Sequence, residues 1–321
     1  MRISACFMLK YTPEGGLFMK TDFCIVSDGS CDLPEQVASK NDISIIHFLV
    51  SFDGTNYKRE GEELELNDFY QHMVDEPRSF PMTAAPSPEA FYQVFLKKAR
   101  EGQNIICVWI STKFRSSSQS AQIARRMLQE EYPDIRVAII DSLCATLMQS
   151  AYVLELCRLR DTGCSFDRAV TVMEALRSTA RIFFTVGNLD YIQHGGRIGR
   201  MTGIAGNLLN IKPVITLQDG EIHSSGLKRG RQKSLCGIID LLVSYFGDNQ
   251  CTPDDCNIIL GYGYDYEEAC RLQEMTIQRL KALYEPVPSI PVFQIGATIG
   301  VHAGPYSIGF GIVRRSDRFP L

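Results

Sequence analysis

The sequence lacks the short signatures that mark many enzymes of its size. It has no Gly-x-Ser-x-Gly nucleophile elbow, no Gly-x-x-x-x-Gly-Lys-Ser/Thr phosphate loop and no His-Glu-x-x-His metal pair, and its five histidines are widely separated. No catalytic group is therefore assigned from motifs. A long apolar run is also missing, since none approaches the ~20 residues that span a bilayer. The opening residues MRISACFMLKYTPEGGLFMK, interrupted by Lys10 and Glu14, make a poor signal peptide. A soluble, cytoplasmic chain is expected. Strong charge is absent as well: a net charge of -4 offers no electrostatic ground for nucleic-acid binding.

What is there points to a large α/β protein. A length of 321 residues suits two domains, and 45% hydrophobic with 22% charged residues is the composition of a globular chain. Eleven cysteines could suggest a disulfide scaffold. Their odd number and their place in apolar segments, such as Cys24, Cys107, Cys157 and Cys270, argue instead for reduced core thiols. Cys251 and Cys256 flank Thr-Pro-Asp-Asp with ligand-like spacing, but no second Cys or His pair follows, so no metal is expected.

Strand and helix patterns alternate along the chain. DFCIVSD (22–28) reads as a buried strand, CDLPEQVASKN (31–41) as a helix opened by Asp32, and ISIIHFLVSFDGTNY as two strands folded at Asp53-Gly54. A helix from Asn67 follows, with Phe69, Tyr70 and Met73 on one side. Another is capped by Ser87 with Pro88 at its first position. NIICVWIS and RVAIID are strands, each followed by a helix, the second helix ending at Gly163. This grammar predicts a parallel sheet covered by helices.

A second unit is expected beyond a boundary near 160–165, which gives domains of 19–162 and 163–321. Residues 1–18 are expected to be an extension outside the fold, with Met19 the better start. The second unit reads as RIFFTVG, a short helix LDYIQHGG, another at IAGNLLN, a hairpin turning at Asp219-Gly220, two amphipathic helices around CNIILGYG, and final strands PVFQIG and SIGFGIVRR. GYGYDY (261–266) imitates a dinucleotide fingerprint, with Tyr266 in place of the third glycine. A strand-to-helix turn that needs glycine for its backbone angles is the plainer reading.

Polar residues gather at the carboxyl ends of strands, where open parallel sheets receive ligands. SDGSCD ends the first strand, Thr83 lies just before the Ser87 cap, and ISTKFRSSSQS places Ser111, Thr112, Arg115 and three serines ahead of a helix. Hydroxyls and a guanidinium at a helix start suit a carboxylate or a phosphate. Equally, a serine there can serve only as a cap. In HGGRIGRMTGIAGNLLNIKPVI (194–215) two glycines present Arg197 at a turn, Leu208, Leu209 and Ile211 offer apolar wall, and Lys212 starts a strand. Arg197 and Lys212 then form either a positive rim beside an apolar tunnel or ion pairs that join the two domains.

The ordered series IVSDGSCDLP, TAAPSP, IST to QSA, IIDS, LDYIQHGGRIG, LLNIKPVI, DGEI, KRGRQK and IGATIGVHAGP resembles the DegV family over residues 19–315. The resemblance implies a two-domain α/β fold, with a Rossmann-like parallel sheet in the first domain and a mixed sheet in the second. It implies a long-chain fatty acid held between the domains. It also implies a partner, an ATP-dependent fatty acid kinase that converts the bound acid to an acyl phosphate. The chain would then be a carrier rather than an enzyme, with the lipid as ligand and no cofactor. On this resemblance Thr83, Ser111, Arg115, Ser116 and His302 are the candidate lipid-binding residues, and Arg197 and Lys212 face the kinase or the phosphoryl group. Where family members carry Ser-Gly-Thr-Tyr before QSA, Arg115, Ser116, Ser117 and Ser118 stand here. Either Arg115 or Ser116 would take over the carboxylate contact, and Ala84-Ala85 in place of Ser-Gln leaves room for the arginine. The alternatives are a hydrolase with Ser111 or Ser116 as nucleophile and His302 as base, or a nucleotide-binding enzyme using the same cleft.

Overall fold

The computed structural model describes residues 21–114, 118–196 and 210–319, with two short strands before them. Those strands, β1 (Lys10–Tyr11) and β2 (Leu17–Phe18), pair antiparallel as a separate sheet. The main chain opens with β3 (Phe23–Asp28), buried along its whole length, as expected for a strand covered on both faces. It enters a 3-10 turn, Gly29–Cys31, that Asp28 caps by accepting the Ser30 N–H at 2.9 Å. Helix α1 (Glu35–Lys40) starts later than predicted. Asp32 does not open it but closes the preceding turn in left-handed conformation (φ 49°), with its carboxyl group buried.

Strand β4 (Ile43–Ile46) lies parallel to β3. The predicted fold-back at Asp53-Gly54 is present, with β5 (Leu49–Ser51) pairing antiparallel with β6 (Lys58–Arg59) across it, but the stretch read as one strand before that turn breaks in two, β4 and β5 belonging to different sheets. Asp53 holds that turn by accepting the N–H groups of Thr55 and Asn56, both at 2.8 Å. After α2 (Leu66–Asp75), whose Phe69, Tyr70 and Met73 are buried as predicted, β7 (Met82–Ala84) completes this small antiparallel sheet. Helix α3 (Pro88–Arg100) begins as read from the sequence, with the Ser87 hydroxyl accepting from Ala90 N–H at 3.2 Å. Strand β8 (Asn104–Trp109), helix α4 (Ser118–Glu131) and strand β9 (Val137–Asp141) finish a four-stranded parallel sheet of order β4-β3-β8-β9.

Helix α5 (Thr146–Asp161) is buried on nearly every side. A helix buried all round belongs between layers, and α5 packs on β3 and also on three strands of the second large sheet. One core cluster accordingly runs from Phe23, Ile25 and Ile106 through Leu147 and Tyr152 to Ile259 and Val313.

Beyond α6 (Phe166–Leu176) come β10 (Arg181–Thr185), α7 (Asp190–His194), β11 (Ile211–Gln218) and β12 (Glu221–Arg229). The last two form the predicted hairpin at Asp219-Gly220. The chain continues through α8 (Arg231–Asp248), β13 (Cys256–Tyr262), α9 (Tyr266–Lys281), β14 (Val292–Gln294), α10 (Ala297–Ala303) and β15 (Ile308–Arg314). Strand order is β12-β11-β10-β15-β13-β14, antiparallel except for β13 beside β14. A parallel sheet and a mixed sheet are thus both present. The helix predicted at IAGNLLN lies outside the described residues.

Helix α10 was not foreseen. Its sequence, ATIGVHA, sets the run Thr-Ile-Gly-Val, weak helix formers, between two alanines, and its Gly300 is required by packing: a Cβ there would meet the Tyr70 hydroxyl at 2.7 Å. His302 is therefore a helical residue.

Candidate functional site

Between the two large sheets lies a cavity of about 200 Å³. Its wall is mostly apolar, with Phe48, Ile110, Leu147, Phe184, Ile222 and Ile299 contributing. Polar groups enter from β7 (Thr83), from the start of α5 (Thr146) and from α10 (Thr298 and His302). An apolar chamber with a few convergent polar groups is the usual form of a small-molecule site.

Each predicted site residue can be placed, except those outside the described residues, which are Arg115, Ser116 and Arg197. Thr83 and His302 both line the cavity. The His302 imidazole packs against the end of α7, where a Cβ on Gly195 would come within 2.5 Å of Nδ1. This revises the reading of the His-Gly-Gly segment. Only Gly196 needs a left-handed backbone (φ 68°); Gly195 has ordinary helical angles and leaves room for the imidazole. Ser111 is not among the cavity-lining residues. Its hydroxyl accepts the Lys113 N–H at 3.3 Å and abuts Gly220 in the β11–β12 turn.

Lys212 lies on β11, half-buried, and donates to the Gly187 carbonyl. Together with Arg231, Tyr191 and Tyr306 it lines a second cavity of about 480 Å³, and Ala303 is shared by the two chambers. Burial, and then the nearby Arg231, hold the Lys212 ammonium below the usual lysine range. Arg231 is engaged with Glu268 through two contacts, Nε to Oε1 at 2.9 Å and Nη2 to Oε2 at 2.5 Å. Among the described residues Lys212 has no ion pair with a carboxylate.

The glycines of GYGYDY also read differently in three dimensions. Neither Gly261 nor Gly263 has a positive φ, so their backbone angles need no glycine. The space beside them is filled by the protein itself: a Cβ on Gly261 would lie 2.7 Å from Leu147 Cγ, and one on Gly263 3.0 Å from the Pro305 carbonyl carbon.

Three acids behind the cavity wall were not singled out from the sequence. Asp28, Asp32 and Glu60 are all buried. Asp28 accepts from Ser30, from Ile110 N–H at 2.7 Å and from Gln149 at 3.3 Å. Asp32 accepts the Thr146 hydroxyl, and Glu60 accepts both the hydroxyl and the N–H of Thr298. Burial pushes the Asp28 carboxyl up to about 6 and that of Glu60 to about 7. Asp32 is raised well above the carboxylate range by burial and by the neighbouring Glu60. Glu60 sits in the run YKREGEELE, which has no apolar period that would mark one member as buried.

Among the described residues no cluster of His, Cys, Asp and Glu could hold a metal, and no helix is long and apolar enough to cross a membrane. The ten described cysteines are free thiols, most of them buried.

Comparison with known proteins places this architecture. A family model described as "Uncharacterised protein, DegV family" matches residues 22–315. A DegV domain-containing protein of Clostridium acetobutylicum is 30% identical over 293 residues, covering 91% of this chain and 98% of its own. Among solved structures, a fat acid (stearic acid)-binding protein from Eubacterium ventriosum is similar, with TM-score 0.86 and 36% identity over 92% of this chain and 100% of its own. A DegV family protein from Thermus thermophilus, described for its fatty acid binding, superposes with TM-score 0.79 at 29% identity, over 91% of this chain and 99% of its own.

Proposed function

The chain belongs to the DegV family, and from that premise we propose that it binds one long-chain fatty acid in the cavity between its sheets and presents the carboxyl group to an ATP-dependent fatty acid kinase. The observation that carries this reading is the cavity itself, apolar over most of its wall and polar where Thr83 and His302 enter. Each methylene taken from water contributes about 0.8 kcal/mol, so a sixteen-carbon tail supplies on the order of 10 kcal/mol before ordering costs. The head group then needs only satisfied hydrogen bonds, for which the Thr83 hydroxyl and the His302 imidazole are the nearest candidates. Arg115 or Ser116, which follow the cavity-lining Phe114 in sequence, would add to them.

In this reading the protein is a cytoplasmic carrier and brings no cofactor of its own. Ser111 as the nucleophile of the hydrolase alternative is disfavoured because its hydroxyl is turned to Lys113 N–H and Gly220. Lys212, and with it Arg197, would serve the encounter with the kinase or the charge of the transferring phosphoryl group.

Reconstitution with a fatty acid kinase and ATP tests the proposal. Acyl phosphate should form from the bound acid, and none should form without the kinase. Lys212→Ala should lower the rate about 10-fold while palmitate affinity stays within about twofold of wild type, the pattern of a group that acts only in transfer. Equal losses in both measurements would instead make Lys212 part of the lipid site.

A further inference from the structure

Asp32 and Glu60 arrive from separate elements and meet at one point. A Cβ on Gly296 would lie 2.6 Å from Asp32 Oδ1 and closer still to Glu60 Oε1, so both oxygens crowd the same side of the Gly296 backbone. Backbone N–H groups at the start of α10 face the pair, that of Gly296 towards Asp32 and that of Ala297 towards Glu60. The other oxygens of the two acids point to the cavity wall, where Asp32 Oδ2 accepts from the Thr146 hydroxyl and Glu60 Oε2 from that of Thr298.

The groups around the pair bring no compensating cation. Asp28 on β3, Tyr70 on α2 and Gln149 on α5 are acidic or neutral, and Arg59 turns outward to Glu62 at 2.7 Å. The remaining titratable neighbours are His302 on α10, Tyr262 on β13 and His47, whose ring packs on Gly61. Two buried carboxyl groups this close, without a cation, cannot both be ionised. One of the two is therefore held as the neutral acid.

The consequence reaches the ligand through the threonines. A hydroxyl has one proton to give, and Thr146 and Thr298 give theirs to the acids. Towards the cavity they therefore offer lone pairs only. A carboxylate also brings only lone pairs, whereas a carboxylic acid brings one O–H donor. We propose that Asp32 and Glu60 are positioning residues for head-group recognition: by taking the threonine protons they make this wall a hydrogen-bond acceptor, so that the acid is bound in its neutral form and one proton enters with each anion drawn from solution. The inference rests on the fatty-acid reading above. In balance, R-COO⁻ and H⁺ enter and bound R-COOH results, its O–H donated to a threonine oxygen and its carbonyl accepting from Thr83 or His302.

The test is calorimetric titration of delipidated full-length protein with palmitate, run at pH 8 in two buffers of different protonation enthalpy. About one proton should be taken up per ligand. Affinity should fall about tenfold from pH 7 to pH 8, since the free acid is ionised throughout that range. Hexadecan-1-ol, a donor at every pH, should bind without that dependence. In the double variant Asp32→Asn, Glu60→Gln the amides can donate to the threonines and release their protons for a carboxylate. Uptake should then fall towards zero, and if this variant fails to fold, the wild-type measurement decides alone.

Palmitate binding with no proton uptake and a flat pH profile overturns the inference and leaves the fatty-acid reading standing; weakening by Arg115→Ala would then put the balancing charge on that arginine. Uptake retained in the double variant but lost in His302→Gln overturns it as well, by placing the proton on the imidazole. Absence of any palmitate binding overturns both.

Discussion

Replacing Ala85 with tryptophan is expected to weaken palmitate binding by about 100-fold or more. Ala85 lies between β7 and α3, is half-buried, and lines the cavity next to Thr83. An indole entering from there finds space at low strain, because the backbone at this position is a connection rather than a packed helix. It then occupies volume that the acyl chain would fill. Displacing about four methylenes forfeits about 3 kcal/mol, slightly more than two decades of affinity. Displacement of a fluorescent fatty acid measures the loss, and an unchanged unfolding midpoint of the delipidated variant separates it from misfolding. Unaltered affinity in a folded variant would mean that the acyl chain does not run through this chamber.

Gly311→Ala is expected to have the largest effect on stability, about 3 kcal/mol or more. Its backbone angles are open to any residue, so the requirement is one of space. A Cβ on Gly311 would stand 2.6 Å from the Leu147 carbonyl oxygen and closer still to Leu147 C and Met148 N, all backbone atoms of the first turn of α5. Flexible side chains can yield to overpacking, at about 1–3 kcal/mol; a helix backbone wedged between two sheets has nowhere to move. The same displacement would shift Thr146 and Leu147, so ligand affinity should fall together with the denaturation midpoint. A variant as stable as wild type in chemical denaturation would contradict the close approach of α5 to β15.

How much of this was legible beforehand depended on the range of the interactions. The strands of the parallel sheet could be read because burial on both faces leaves a continuous apolar run, as in Ile105 to Trp109. Ser87-Pro88, Asp53-Gly54 and Asp219-Gly220 could be read because caps and turns are set by neighbours in sequence. Asp32 misled for the same reason. It has the composition of a helix cap, but its carboxyl group is held by Thr146 and by the Gly296 backbone, contacts that no local window contains.

Helix α10 escaped because Tyr70 and the Glu60–Thr298 contact hold its start, rather than propensity. Of the candidate site, Thr83 and His302 were found through family resemblance and line the chamber. Thr146 and Thr298 were not found, since threonine at a helix start is common for reasons that have nothing to do with ligands.

The central claim is that the chamber between the sheets holds one long-chain fatty acid. The most direct measurement is mass spectrometry of an organic extract of the protein purified from a bacterial cytoplasm, quantified against protein concentration. Slow release of a buried tail predicts close to one mole of long-chain fatty acid per mole of protein. An extract without fatty acid, from folded protein that also takes up neither palmitate nor oleate when these are supplied, would contradict the account.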